Sequence, residues 1–169
     1  MDVFDAVRTV LAVRSFQEEP VSDDVLRKIV EAGRLTASSI NLQPWHFIVV
    51  RERESLRRLG ELVKTGPYIA QASLAIVVAI EKDSMFSVSD GSRAIQDMIL
   101  TAWSEGIGSN WAGFGDNPDV SALLGIPPEL GVLAVVPFGY PVQAVGQGKK
   151  KRKPLSGVVS LERYGQPFA

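Results

Sequence analysis

The stretch Thr36-Ala37-Ser38-Ser39-Ile40-Asn41-Leu42-Gln43-Pro44-Trp45, running on into His46-Phe47-Ile48-Val49-Val50, decides how the rest of this chain is read. Small polar side chains crowd together, two amides follow, and a proline and a tryptophan lead into an apolar run rich in β-branched residues. That run reads as a strand over residues 46–50. The ten residues before it read as a loop whose small side chains let the backbone approach a flat ligand. Asn41 and Gln43 add amide groups that can bond donors and acceptors on the ligand's edge. A polar turn before a strand would explain the serines and the proline, but not the whole string.

On the N-terminal side, Val3, Phe4, Val7, Val10 and Leu11 recur at helical spacing and predict an amphipathic helix over residues 2–13. Ser22 stands where a helix cap belongs, with Asp23 and Asp24 in the first turn where the helix dipole favours acids. The helix it opens should bury Val25, Leu26, Ile29, Val30 and Ala32 and end near 33–35. Beyond the loop and strand, residues 53–63 predict a helix with Leu56, Leu59 and Leu62 inward. The near-continuous apolar run 74–80 predicts a buried central strand. Residues 90–105 predict a helix whose broad apolar face (Ala94, Ile95, Met98, Ile99, Ala102) suits the core or a subunit interface. A glycine-rich stretch, 106–115, carries Trp111 and Phe114, and 132–138 predicts a third strand. The basic run 149–153 and a tail with one short apolar patch at 158–161 complete the chain. Strands and helices do not alternate strictly, and no repeat or linker interrupts them. The expectation is a single domain over 1–169 of the α+β class.

The chain has 169 residues, enough for one domain with a real core. Hydrophobic residues at 46% against 22% charged exclude wholesale disorder. With 18 basic and 19 acidic side chains, no global field recommends a polyanion such as nucleic acid. Cysteine is absent, which excludes disulfides, thiolate metal ligands and a cysteine nucleophile. The one histidine, His46, cannot alone form a zinc or non-haem iron site, and a Ser-His-Asp triad would have to use it. Beside Trp45 at a strand start it reads as structural or as a pocket edge rather than a general base. The N-terminal stretch mixes acids and an arginine with its apolar residues, unlike a signal peptide or membrane span. A soluble cytoplasmic protein without membrane partners is therefore expected.

No Walker loop and no GxGxxG after a strand occurs; Gly106-Ile107-Gly108 follows a helix. Glu18-Glu19 and Asp23-Asp24 sit at a turn and a helix start, where solvation and dipole compensation explain them. The basic run 149–153 has three readings: a solvated loop, a nucleic-acid or targeting patch, or a clamp for one phosphate group.

Residues 36–50 resemble the second motif of the nitroreductase family, of the form PSxxNxQPW before an apolar strand. The match covers Ser38, Ser39, Asn41, Gln43, Pro44 and Trp45. Three other places agree in order and spacing. Val13-Arg14-Ser15-Phe16 before Pro20-Val21 resembles the end of the family's first motif, RRSxRxF. Residues 94–111 resemble its central helix and the following glycine-rich stretch. Lys150-Lys151-Arg152-Lys153-Pro154-Leu155 resembles its basic Lys-x-Arg segment.

The resemblance implies a mostly antiparallel sheet flanked by helices, and a homodimer with FMN at the subunit interface. It implies Arg14 at the flavin pyrimidine, where a cation stabilises the negative charge that reduction places there. Ala37, Ser38, Ser39, Asn41 and Gln43 would reach the same FMN from the other subunit. Trp111, Ala112 and Gly113 would lie against the ring, with a backbone N–H aimed at its N5. Lys150 and Arg152 would bind the phosphate by charge-assisted hydrogen bonds. No side chain need act as nucleophile or metal ligand; the chemistry is the flavin's, with NAD(P)H as co-substrate. The implied reaction is ping-pong electron transfer to a small acceptor such as a nitroaromatic or quinone.

Departures from the pattern stand at Val10, Leu11 and Ala12, where the family has Arg-Arg-Ser to grip the phosphate. Each charged hydrogen bond lost there is worth roughly 1.5–3 kcal/mol. Ala112 replaces a common acidic residue beside N5, and Ala37 a common proline. Arg8 lies too far back along the helix to be assumed a replacement, so its loss should matter little beside that of Arg14. The departures at Val10 to Ala12 also motivate a rival reading, a member of the fold that acts on the flavin itself or on one dedicated metabolite. A rival of another class is a binding or carrier protein that holds flavin loosely or not at all.

Overall fold

The computed structural model describes residues 1–143 and 150–168; Lys149, the first of the basic run, lies outside them. Its centre is β2 (Leu74–Glu81), and the period-2 geometry of a strand explains the unbroken apolar run there. Leu74, Ile76, Val78 and Ile80 point into one core, while Ala75 and Val77 point into a second on the opposite face. A strand covered on both faces has no side left for polar residues. β1 (Trp45–Val50) and β4 (Leu130–Gly139) pair with β2 on either side, and a two-residue β3 (Gly108–Ser109) pairs with β4. The order is β1-β2-β4-β3, antiparallel at every pairing. The α+β expectation holds.

Helices α2 (Asp23–Arg34) and α4 (Ser87–Ser104) close the first core, with Ile29, Ile95, Met98 and Ala102 fully buried. Ile29, Ile95 and Met98 each contribute about 1.5–3 kcal/mol on leaving water. The Ser22 hydroxyl accepts from the Val25 N–H at 3.4 Å, the cap that the sequence announces. On the other face α3 (Arg53–Leu62) buries Leu56 and Leu59, and α5 (Pro118–Leu124) adds Val120. Among the described residues no helix is long and apolar enough to cross a membrane.

The N-terminal segment departs from expectation. Helix α1 spans only Val3–Thr9, because Val10 turns extended and the chain then runs beside β3. Ala12 bridges Ser109 in parallel, and the Val13 N–H donates to the Ser109 carbonyl at 2.9 Å. Gly108 makes this possible: a Cβ there would stand 2.4 Å from the Val13 side chain. Tertiary pairing at Ala12 and Val13 therefore overrides the helical spacing that Val10 and Leu11 continue. The buried indole N–H of Trp103 donates to the Thr9 hydroxyl at 2.9 Å and fixes the end of α1 against α4.

Candidate functional site

The loop after α2 is wound into a tight 3-10 turn, Ser39–Asn41, before β1 begins at Trp45. Three of its non-glycine residues hold positive φ: Ile40 at 46°, Asn41 at 59° and Gln43 at 53°. Left-handed backbone costs an L-residue roughly 1–2 kcal/mol, more for a β-branched one such as Ile40. The loop keeps this shape through its own hydrogen bonds and through α4. The Asn41 N–H donates to the Ser38 carbonyl at 3.1 Å, and the Gln43 N–H to the Ser38 hydroxyl at 3.0 Å. Asp90, fully buried in the first turns of α4, accepts from the Ser39 N–H at 2.9 Å and its hydroxyl at 3.2 Å. Arg93 pairs with the same carboxylate. Burial alone would push the Asp90 carboxyl up, but the Ser39 N–H and Arg93 more than offset it and hold it below the usual range. Two turns along, Asp97 accepts from the Thr36 hydroxyl at 2.6 Å. The first part of the loop is thus latched to one helix at two points, Thr36 and Ser39.

A cavity of about 870 Å³ opens elsewhere, large enough for a cofactor. Val10, Leu11, Ala12 and Ile99 give it apolar wall; Ser109, Asn110 and Trp111 give it an edge from the end of β3. Lys150 and Arg152 enter from the tail and Arg8 from the last turn of α1. The Lys150 ammonium donates to the Val7 carbonyl at 2.5 Å, pinning the tail to α1. Burial, and then the neighbouring Arg152 charge, push its pKa down. The cavity and the latched loop lie on different sides of α4. Asp90 and Asp97, seven residues apart, differ by about 20° around the helix, whereas Ile99 is about 180° and Gln96 about 120° from Asp90. Gln96 and Ile99 line the cavity.

The expected site residues therefore fall into separate groups. Trp111, Lys150 and Arg152 meet in the large cavity. Ala37, Ser38, Ser39, Asn41 and Gln43 do not line it and form the loop beyond α4. Ser39 is turned inward to Asp90, and the Gln43 amide donates back to the Asn41 carbonyl at 3.3 Å. Asn41 stands exposed beside exposed Ile40 and Leu42. Ala112 and Gly113 line a neighbouring cavity of about 310 Å³ with Phe114. Their N–H groups have partners: Ala112 donates to the Val135 carbonyl at 3.0 Å, and Gly113 to the Thr65 hydroxyl at 3.0 Å. Of these two, Gly113 is the one whose partner is a side chain that can rotate away. Arg14 is exposed, two residues past Ala12, with no hydrogen bond or ion pair among the described residues. His46 is exposed on β1, outside both cavities.

The sequence reading missed three things. Arg8, set aside as too far back, lies in the wall of the cavity that holds Lys150 and Arg152, because α1 ends at Thr9 and the tail folds against it. Asp90 and Asp97 gave no sign of their partners 51 and 61 residues earlier. Thr65 gave none either.

The model of the Nitroreductase family matches residues 8–84 and 67–140. A protein of Methanothermobacter thermautotrophicus, provisionally named an NADH dehydrogenase/NAD(P)H nitroreductase, is 35% identical over 154 residues, covering 86% of this chain and 81% of that protein. The FMN reductase [NAD(P)H] of Bacillus subtilis is 28% identical over 179 residues, covering 90% of this chain and 70% of its own. Among solved structures, an enzyme from Parabacteroides distasonis bearing the same provisional name superposes with a TM-score of 0.87 at 28% identity, covering 96% of this chain and 98% of its own. The strained amide-bearing loop, the antiparallel sheet and the basic-ended cavity thus have one common explanation: the chain belongs to the nitroreductase family.

Proposed function

We propose that this protein is an NAD(P)H-dependent flavin oxidoreductase that holds FMN in the 870 Å³ cavity and works as a homodimer. The observation that carries the reading is the cavity itself, which offers a long apolar wall at Val10, Leu11, Ala12 and Ile99, an aromatic edge at Trp111, and cations at one end. A flat ring bearing a phosphorylated chain has that distribution of surfaces. When bound, FMN supplies two-electron chemistry between a nicotinamide and an acceptor.

The chain's own residues then do the following. Lys150 and Arg152 hold the phosphate by charge-assisted hydrogen bonds. Trp111 walls off one side of the ring and excludes water from it. Arg14, which has no side-chain partner among the described residues and stands two positions past the cavity-lining Ala12 without itself lining the cavity, would place a positive charge near the pyrimidine edge. Ala37, Ser38, Ser39, Asn41 and Gln43 serve the cavity of a second copy, since α4 stands between the loop and the cavity of its own chain. Exposed Val3 and Phe4 on α1, with Leu35 at the end of α2 and Ile40 and Leu42 on the loop, supply apolar surface for that pairing. The Gly113 N–H, in the neighbouring cavity beyond Trp111, would be free to donate to the ring's reacting edge only once the Thr65 hydroxyl rotates away and the ring reaches past Trp111.

The acceptor is a small oxidised molecule such as a nitroaromatic or quinone, which enters after the nicotinamide has left and takes its protons from water. The cytoplasm, with its reduced nicotinamide pool, is the natural compartment. The test is an absorption spectrum of the purified protein after mixing with FMN, followed by rapid mixing with NADPH and NADH separately. Flavin bands that bleach with nicotinamide and return with a quinone are expected. A colourless protein that takes up no FMN and oxidises no nicotinamide refutes the reading and favours a binding role. Bound FMN without nicotinamide turnover points instead to a dedicated metabolite.

A further inference from the structure

We propose that Arg8 completes the anion site of the large cavity, standing with Lys150 and Arg152 to take a phosphate monoester where Val10, Leu11 and Ala12 offer only apolar wall. The inference rests on the flavin reading and adds to it a residue that the sequence pattern sets aside. Its basis is placement. Lys150 donates to the carbonyl of Val7, the residue that precedes Arg8, so the tail cation is fixed at the last turn of α1. Arg152 lies close enough for its charge to act on Lys150. All three side chains line one cavity.

The charges also fit. Three cations line the cavity, and among the described residues the one carboxylate paired with any of them is Asp5, which meets Arg8 at 2.9 Å. Three positive charges less one negative leave two, and a phosphate monoester carries about −1.5 to −2 at neutral pH. A cation in the last turn of a helix has an ordinary use in offsetting the helix dipole, and the Asp5 pair is exposed enough to be weak. That use does not explain why two tail cations line the same cavity as Arg8 despite their mutual repulsion, Lys150 held at the Val7 carbonyl and Arg152 at the Lys151 carbonyl. A dianion among the three relieves the repulsion and outcompetes a single carboxylate for the Arg8 guanidinium.

FMN and riboflavin differ by the phosphate alone, so their affinities separate this proposal from any effect on the ring. Fluorescence titrations with each ligand compare the wild type with Arg8→Gln, Asp5→Asn and, as a remote charge control, Arg57→Gln. Arg8→Gln should weaken FMN about tenfold and leave riboflavin within about twofold. Asp5→Asn, which frees Arg8, should tighten FMN about threefold without changing riboflavin. Arg57→Gln should change neither. Circular dichroism spectra and melting curves of each variant establish that it is folded. Unchanged FMN affinity in Arg8→Gln, or equal weakening of both ligands, overturns the role of Arg8 and leaves the flavin reading standing. A wild type that binds neither ligand overturns both.

Discussion

Removing the Asp90 carboxylate tests whether α4 holds the loop in its left-handed shape. Asp90→Ala strips a charged acceptor from the Ser39 N–H at 2.9 Å and from its hydroxyl at 3.2 Å. Hydrogen bonds to a charged group are worth about 1.5–3 kcal/mol each, and Ser39 is only half-buried, so the low end applies. The sum is about 3 kcal/mol. The Arg93 pair adds little, since the Arg93 side chain is 51% exposed. For a chain of this length about 3 kcal/mol lowers the melting temperature by roughly 6–12 °C. Asp90→Asn keeps one acceptor and should lose about half as much. The strain at Ile40, Asn41 and Gln43 makes the loop yield first, so hydrogen exchange should show the amides of residues 38–43 deprotected before the sheet.

The pH dependence follows from the depressed Asp90 pKa. A folded pKa below the unfolded value stabilises the protein fully above the free aspartate pKa of about 3.9 and loses that contribution as pH falls towards the folded value. Asp116, held low chiefly by Lys82, adds to the same acid-side loss. Urea denaturation between pH 7 and the acid limb should therefore give a shallower slope for Asp90→Asn than for the wild type. A melting temperature for Asp90→Ala within about 2 °C of wild type, with loop amides equally protected, would refute the reasoning.

Three further outcomes can be measured. Gly108→Ala should cost about 1–3 kcal/mol in urea, because the new Cβ meets Val13 at 2.4 Å, and Val13→Ala should recover part of that in the double variant. A neutral Gly108→Ala would mean that the segment beside β3 can shift freely. Ile40→Asn should raise stability by about 1 kcal/mol, since asparagine tolerates the φ of 46° that a β-branched residue does not. A loss that grows with protein concentration would place Ile40 in a subunit contact instead. Arg14→Ala should weaken FMN and riboflavin alike by about tenfold, because its charge serves the ring; weakening of FMN alone would assign it to the phosphate.

Much of the fold was legible because it rests on local rules. The apolar run of β2, the Ser22 cap of α2 and the small-residue face of α4 each carry their own cause. Helix α5 was missed although its signals were present: Asn117 caps it, Pro118 opens it and Gly125 closes it in the left-handed region. Its seven residues are simply too few to show a period. The false extension of α1 to residue 13 has another origin, because Val10 and Leu11 continue a helical pattern while the next residues, Ala12 and Val13, are claimed by Ser109 of β3, about a hundred residues away. The site divides in the same way. The loop Thr36–Trp45 could be read from its residue types. The cavity could not, since its walls come from α1, α4, the end of β3 and the tail, and only folding brings Arg8 to Lys150.

The position of α4 between loop and cavity has a thermodynamic consequence. If each ring is gripped by one chain below and by its neighbour's loop above, cofactor retention and subunit association are a single linked equilibrium. Dilution that separates the subunits should then release flavin, and excess flavin should hold the subunits together. The apparent dissociation constant for FMN would fall as protein concentration rises, even though no residue touching the flavin has changed.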